Sequence, residues 1–136
     1  MRIIQIVGKS NSGKTTFIRS LIPELMKCGH VAVIKHLGDH EYILEKGKDT
    51  TAFFENGADI SVGIDSHKAV VAIRKNDLED ILCLLKDNGM NFVLIEGFKT
   101  RSSPHVVLGD FQSDSRILQN PTVRQVMEAL PLFEDY

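Results

Sequence analysis

Apolar residues along this chain come in short bursts, and their spacing switches between the continuous or alternating run of a strand and the three-to-four spacing of a helix. Arg2-Ile-Ile-Gln-Ile-Val7 is a β-branched run that reads as a buried strand. Phe17, Ile18, Leu21, Ile22 and Leu25 then share one helical stripe, predicting a helix from about Lys14 to Lys27 that stops at the cap residue Gly29. Pro23 falls inside it, where it removes one backbone hydrogen bond and is expected to kink the helix. Val31–His36 reads as a second strand, residues 37–48 as a polar loop with Gly38 and Gly47, and Asp49–Asn56 as a short helix closing at Gly57. Asp59–Ile64 and Ala69–Arg74 are strands joined by the polar turn Asp65-Ser-His-Lys68, a spacing that suits an antiparallel hairpin.

Asn76 or Asp77 caps the next helix, whose Leu78, Ile81, Leu82 and Leu85 form one stripe ending before Asn88-Gly89. Asn91–Glu96 is a strongly apolar strand that ends in an acid, and His105–Leu108 is another after a polar loop. Residues 110–120 read as irregular, with a strand around Arg116–Leu118, and Pro121 as a first-turn proline opening a final helix through Val123, Val126, Met127 and Leu130. Strands alternating with helices predict a three-layer α/β fold: a mostly parallel central sheet with an antiparallel hairpin, and helices on both faces. Ligands in such sheets bind at the carboxyl ends of the strands, which here means Gly8, His36, Glu96 and the segment after Leu108.

One of those ends carries a specific chemistry. Residues 8–15, Gly-Lys-Ser-Asn-Ser-Gly-Lys-Thr, form a complete G-x-x-x-x-G-K-[ST] loop between a strand and a helix, the context that makes this pattern a nucleotide site. Gly8 and Gly13 permit a tight turn, and the amides of Lys9, Ser10, Asn11, Ser12 and the residues after them form a nest for a β-phosphate. The helix N-terminus adds unpaired donors. Lys14 supplies charge to the β- and γ-phosphates, Thr15 a hydroxyl for Mg²⁺, and Thr16 can reach the α-phosphate. Residues 1–136 therefore read as a single P-loop nucleotide-binding domain of the NTPase type. Lys9 stands where the deviant loops of dimeric nucleotidases carry a second lysine that crosses to the partner's phosphates, although a solvated lysine fits as well.

Glu96, closing an apolar strand, matches a Walker B acid that serves the Mg²⁺ shell or orients the attacking water. Asp49 is either a second metal-shell or water-positioning acid or the cap of its helix, and a first-turn acid favours the dipole in both cases. Lys35, His36 and Lys99 are candidate cleft-lining residues. His36, Asp39 and His40 lack the spacing of a helical H-x-x-x-H pair and have no cysteine nearby. His30, His67 and His105 are most simply surface or strand-end histidines.

Composition narrows the partners. With 43% apolar and 25% charged residues and a formal charge of −2, the chain has the profile of a globular protein with no basic footprint for nucleic acid. No apolar run reaches bilayer-spanning length, and the two cysteines, Cys28 and Cys83, both fall in predicted helices and are expected to be buried thiols. A cytoplasmic protein is the expectation. No N-K-x-D or T-K-x-D tetrad identifies guanine, and the six arginines are too scattered to form the lid of a small-molecule kinase.

The ordered set Gly8–Thr16, Ile34-Lys-His36, Gly47-Lys-Asp49, Asn56-Gly-Ala58 and Val93-Leu-Ile-Glu-Gly-Phe-Lys99 resembles the molybdopterin-guanine dinucleotide biosynthesis protein B (MobB) family over residues 1 to about 109. The resemblance implies a homodimeric, Mg²⁺-dependent GTP-binding accessory protein with weak GTPase activity, acting with the guanylyltransferase MobA and molybdopterin. It implies phosphate binding by Gly8–Thr16, metal binding by Thr15, Glu96 and Asp49, and a cleft lined by Lys35, His36 and Lys99. Catalytic roles would fall to Glu96, Asp49 and Lys14. Two departures are visible: His36-Leu-Gly-Asp39-His40 replaces the family's Thr-His-His-Asp, and Asn11 replaces a glycine usual in mid-loop. The rival reading is a small P-loop kinase or amide-forming ATPase of the dethiobiotin synthetase type, with Lys35, Lys99 and Lys9 as its available cations.

Overall fold

The computed structural model describes residues 1–136. Its chain divides into two compact units, one made of Met1–Gly38 and Leu85–Tyr136, the other of Asp39–Leu84.

The first unit is built on strand β1 (Arg2–Gly8), which leads into helix α1 (Lys14–Met26) and strand β2 (Val31–Lys35). After the second unit come strands β5 (Phe92–Glu96), β6 (His105–Leu108) and β7 (Arg116–Gln119), helix α4 (Val123–Glu128), a 3₁₀ turn (Leu130–Leu132) and strand β8 (Glu134–Asp135). The sheet order is β2-β5-β1-β6-β7 with every pair parallel, while β8 runs antiparallel to β1. β1 is therefore central. It pairs with β5 along one edge, and on the other with β8 at Arg2–Ile3 and β6 at Gln5–Gly8.

Alternation along the strands decides what each sheet face carries. Ile4, Ile6, Leu94, Val106 and Leu108 join Ile18, Leu21 and Leu25 of α1 and Val126 of α4 in one buried cluster. Fully burying a side chain of this size contributes roughly 1.5–3 kcal/mol, so this layer holds α1 in place beneath the loop it follows. The strand residues of opposite parity, including Ile3, Val7, Val93, Ile95 and Val107, are buried as well, and Gln5 and His105 are buried among them.

The second unit holds helix α2 (Asp49–Glu55) and a two-stranded sheet of β3 (Ile60–Ile64) and β4 (Ala69–Ile73). Ser61 Oγ donates to the Thr50 carbonyl at 2.7 Å, tying β3 to α2. Asp65 closes the hairpin turn: its Oδ1 accepts from the His67 and Lys68 amides at 2.7 and 2.9 Å. The Lys68 ammonium at 2.7 Å, then those amide donors, hold the Asp65 carboxyl below its usual range. Helix α3 (Leu78–Asp87) starts where Asp77 Oδ1 accepts the Glu79 amide at 2.9 Å, so Asp77 rather than Asn76 is the cap.

The antiparallel hairpin is present and forms a sheet of its own. Helix α1 runs on past Pro23, as expected, and ends at Met26 with Lys27 as its cap. Other expectations need correction. Gly29 is not the cap of α1 but a close-packing point, where a Cβ would lie 2.5 Å from Asn91 Oδ1. Pro121 precedes the last helix; Thr122 is the N-cap, in a reciprocal capping box with Gln125. Both cysteines are exposed, and neither is in a disulfide. Cys28 lies past the end of α1, and Cys83 sits on α3 beside the buried Leu82, turned 100° away from it.

Candidate functional site

The turn after β1 is shaped by contact as much as by composition. A Cβ on Gly8 would stand 2.3 Å from the Leu108 carbonyl oxygen and 2.6 Å from Ser12 Oγ, so only glycine lets the loop leave the sheet here. Gly13 then takes φ 84° as the N-cap of α1, and Asn11 takes φ 61°. Asparagine is among the few non-glycine residues that adopt this left-handed region readily, which explains how it can occupy a mid-loop glycine position.

The charged groups converge on this loop. Lys14 Nζ donates to the Lys9 carbonyl at 2.7 Å and the Gly8 carbonyl at 3.3 Å, so the ammonium lies inside the loop's curve. Thr15 Oγ1 donates to Glu96 Oε2 at 3.1 Å, and Lys35 Nζ is 3.7 Å from Glu96 Oε1. The parallel pairing of β1 with β5 and β5 with β2 brings these ends together, with Lys35 opposite Glu96 in register. Burial lowers the Lys14 pKa; the Glu96 carboxylate opposes that, and the Lys99 and Lys35 ammoniums lower it further. Lys35 beside Glu96, and Lys14 within reach of Glu96, Lys35 and Lys99, leave an excess of positive charge, the balance an anionic ligand requires.

The sequence-derived candidates divide accordingly. Lys14, Thr15, Glu96 and Lys35 are within direct contact of one another or of the loop. Lys99 is in electrostatic reach, with its ammonium 5.5 Å above the Phe111 ring. The His36 ring stacks on Phe98 with centroids 4.3 Å apart at the ends of β2 and β5. The Lys9 side chain and that of Thr16 are exposed. Asp49 lies in the second unit as the first residue of α2; Lys48 holds the N-cap position, so Asp49 acts there as a first-turn acid rather than as the cap. Nowhere does a group of three or more His, Cys, Asp and Glu side chains gather in a form that could hold a metal ion.

Sequence reasoning missed the support beneath the Glu96 turn. Gln5 is fully buried, and its Nε2 donates to the Gly97 and Phe98 carbonyls at 2.8 and 2.7 Å, with Phe98 at φ 50°. Ser103 Oγ donates to Gln5 Oε1 at 2.6 Å, and His105 Nδ1 pairs with the Ser103 carbonyl at 2.8 Å. That carbonyl can only accept, so Nδ1 carries the proton and Nε2, buried without a partner, is bare. Burial holds the His105 pKa below its usual value, with the Ser103 carbonyl opposing. His105 is thus a strand-end residue, the first of β6, but one in the interior and not on the surface. The available signal was a lone amide within Ile-Ile-Gln-Ile-Val, since a buried polar group demands partners.

A profile of the family described as "Molybdopterin guanine dinucleotide synthesis protein B", MobB, matches residues 3–128. The chain belongs to the MobB family. A putative molybdopterin-guanine dinucleotide biosynthesis adapter protein of Methanocaldococcus jannaschii is 40% identical over 99 residues, covering 73% of this chain and 42% of that protein. A probable adapter protein of the same description from Bacillus subtilis is 35% identical over 121 residues, covering 86% of this chain and 70% of the relative. The chain thus spans less than half the length of the archaeal relative. Among solved structures, the crystal structure of Bacillus subtilis MobB superposes with a TM-score of 0.74 over 100% of both chains at 22% identity. A crystal structure of molybdopterin-guanine biosynthesis protein B gives 0.64 at 23% identity, over 93% of this chain and 95% of that one. The shared MobB architecture is a mostly parallel sheet with a separate antiparallel pair and helices around them, consistent with a P-loop NTPase fold.

Proposed function

We propose that this chain is a Mg²⁺-dependent GTP-binding adapter in molybdopterin guanine dinucleotide biosynthesis, with weak GTPase activity. Its partners in this reading are the guanylyltransferase MobA and molybdopterin. The observation that carries the nucleotide reading is the 3.1 Å contact between the Thr15 hydroxyl and the Glu96 carboxylate beside Lys14. A hydroxyl and a carboxylate are hard oxygen donors. Mg²⁺ is ordinarily held by one or two such groups, phosphate oxygens and water rather than by an all-protein cage, so this pair fits the ion. When bound, the ion neutralises charge on the β- and γ-phosphate oxygens.

The chain's own groups do the rest. The amides of residues 9–15 orient the phosphates, Lys14 exchanges its carbonyl partners for phosphate oxygens, and Lys35 and Lys99 add charge at the γ-phosphate end. Glu96 orients water. With the six arginines scattered along the chain, no arginine cluster is available to stabilise a transferring phosphoryl group, so turnover is slow and binding is the principal act.

Homodimer formation in the cytoplasm completes the proposal. The hairpin supports it: Ile60, Val62, Ile64 and Val71 lie on one face of the β3–β4 sheet, each about half exposed or more. Lys9, exposed on the loop, is the residue such a dimer could present to a neighbouring phosphate site. No helix is long and apolar enough to cross a membrane.

Calorimetric titration of GTP tests the proposal directly. Micromolar, Mg²⁺-dependent binding is expected, with a loss of at least about tenfold in Lys14→Ala, as removal of a charged hydrogen bond to phosphate implies. Unchanged binding in that variant refutes the reading.

A further inference from the structure

The chain lacks the tetrad by which many GTP-binding proteins read guanine, yet the geometry points to a different reader. We infer that Asn120 recognises the guanine edge by donating from its amide to the O6 and N7 acceptors. The inference rests on the nucleotide-binding reading above and adds to it the group that selects the base.

Strand order fixes where a base must lie. Glu96 and Lys35 end β5 and β2, on one side of the loop at the end of β1. The metal donors Thr15 and Glu96 mark the β,γ end of the triphosphate, so that end lies toward β5 and β2. The α-phosphate and nucleoside consequently leave over the opposite side, across the carboxyl ends of β6 and β7.

Asn120 stands at that end. It follows β7 with φ 47°, and its amide N–H donates to the Val107 carbonyl at 2.8 Å. Contacts link it to the phosphate loop in two steps. A Cβ on Gly109 would lie 3.3 Å from Ser12 Cβ, and the Gly109 N–H donates to Asn120 Oδ1 at 2.6 Å. Gln119 Nε2 donates to the Gly109 carbonyl at 3.2 Å, so both sides of that residue are gripped by the end of β7.

This grip decides the chemistry. A backbone N–H can only donate, so the Asn120 oxygen faces Gly109 and the amide cannot flip. What Asn120 has left to offer, exposed to solvent, is the NH₂ group: two donors and no free acceptor along that edge. Guanine presents two adjacent acceptors, N7 and O6. Adenine presents an acceptor beside the N6 donor, which an NH₂ group opposes. An asparagine free to turn would suit adenine; one locked through its oxygen suits guanine.

The test compares GTP, ITP, 7-deaza-GTP and ATP by competition titration in Mg²⁺ on the full chain. ITP keeps O6 and N7 and is expected to bind within about threefold of GTP, whereas 7-deaza-GTP and ATP bind roughly tenfold or more weakly, the lower part of the range for losing one base-edge contact. In Asn120→Gly, which keeps the left-handed backbone, all four are expected to converge within about threefold. Asn120→Asp still accepts the Gly109 N–H but turns an acceptor toward O6 and N7, so GTP binding falls furthest there. Equal binding of GTP and 7-deaza-GTP by the native chain overturns the inference, as does discrimination retained in Asn120→Gly. Equal GTP and ATP affinities that both collapse in Lys14→Ala overturn it while leaving the phosphate site standing. Affinities indifferent to Lys14→Ala overturn both.

Discussion

Gln5→Leu is the most informative single perturbation of the site, because it acts on the floor beneath Glu96 and not on any group in contact with ligand. Leucine nearly conserves volume, so the cavity contribution is small. The substitution deletes three hydrogen bonds, those to the Gly97 and Phe98 carbonyls and that from Ser103. At a net contribution of about 1 kcal/mol each, the loss is roughly 3 kcal/mol, more if the carbonyls are left without water. For a chain of this size that corresponds to a fall in Tm of about 10 °C. Urea unfolding followed by circular dichroism measures the first number. The functional signature is separate: with the turn loosened, Glu96 and Lys99 lose their positions while the phosphate loop keeps its own. GTP affinity in Mg²⁺ should therefore drop several-fold, with GDP affinity in EDTA unchanged. A stability loss under about 1 kcal/mol, or equal losses with and without Mg²⁺, refutes the idea that Gln5 positions the turn.

Two further outcomes follow from the same unit. The His105 pKa lies below its ordinary value in the folded chain, so near and below pH 6.5 the unfolded chain binds more protons than the folded one. Stability is then fully present above about pH 6.5 and falls as pH drops toward the folded pKa; urea midpoints across pH 5–8 should show this fall, flattened in His105→Gln. Arg101 makes a two-pronged pair with Glu134 of β8 at 2.6 and 2.8 Å, with both side chains less than a third exposed. A double-mutant cycle of Arg101→Gln and Glu134→Gln should return a coupling of about 1–2 kcal/mol, whereas additivity means the C-terminal strand is held without it.

Much of this architecture was legible because local pattern and tertiary context agree. The turn after β1 is encoded by glycines where a Cβ would clash or φ turns positive, and the place of Glu96 by an acid at the end of a strand too apolar to lie anywhere but the interior. Strand and helix limits fall within a residue or two of their periodic signals. The rest depends on partners distant in sequence. Glu134-Asp135 carries no strand pattern of its own and becomes one only against Arg2-Ile3. His105 opens an apolar run, but its burial follows from pairing between β1 and β7. The exposure of Cys83 turns on which face of α3 is covered, a question the Leu82 stripe answers only to within one residue. That the hairpin forms a separate sheet is invisible locally, because hairpin strands look alike whether or not they join a larger sheet. Asn120 is silent in sequence, since its role depends on a hydrogen bond to a residue eleven positions earlier.

The position of β1 has a consequence for how this protein breathes. Residues 2–6 of that strand pair with β5 on one edge, while the other edge is taken by β8 at Arg2–Ile3 and by β6 at Gln5–Gly8. Its amides should be among the last to exchange with solvent, opening only when the whole unit opens. The loop proposed to bind phosphate is mounted at the tip of this strand, and past Gly8 its residues lie outside the sheet, held by the Ser12 N–H and Lys14 Nζ on the Lys9 carbonyl and not by strand pairing. Ligand capture can therefore order the loop without drawing on the stability of the sheet that carries it. Slow and fast exchange should meet at a single residue boundary, between Gly8 and Lys9.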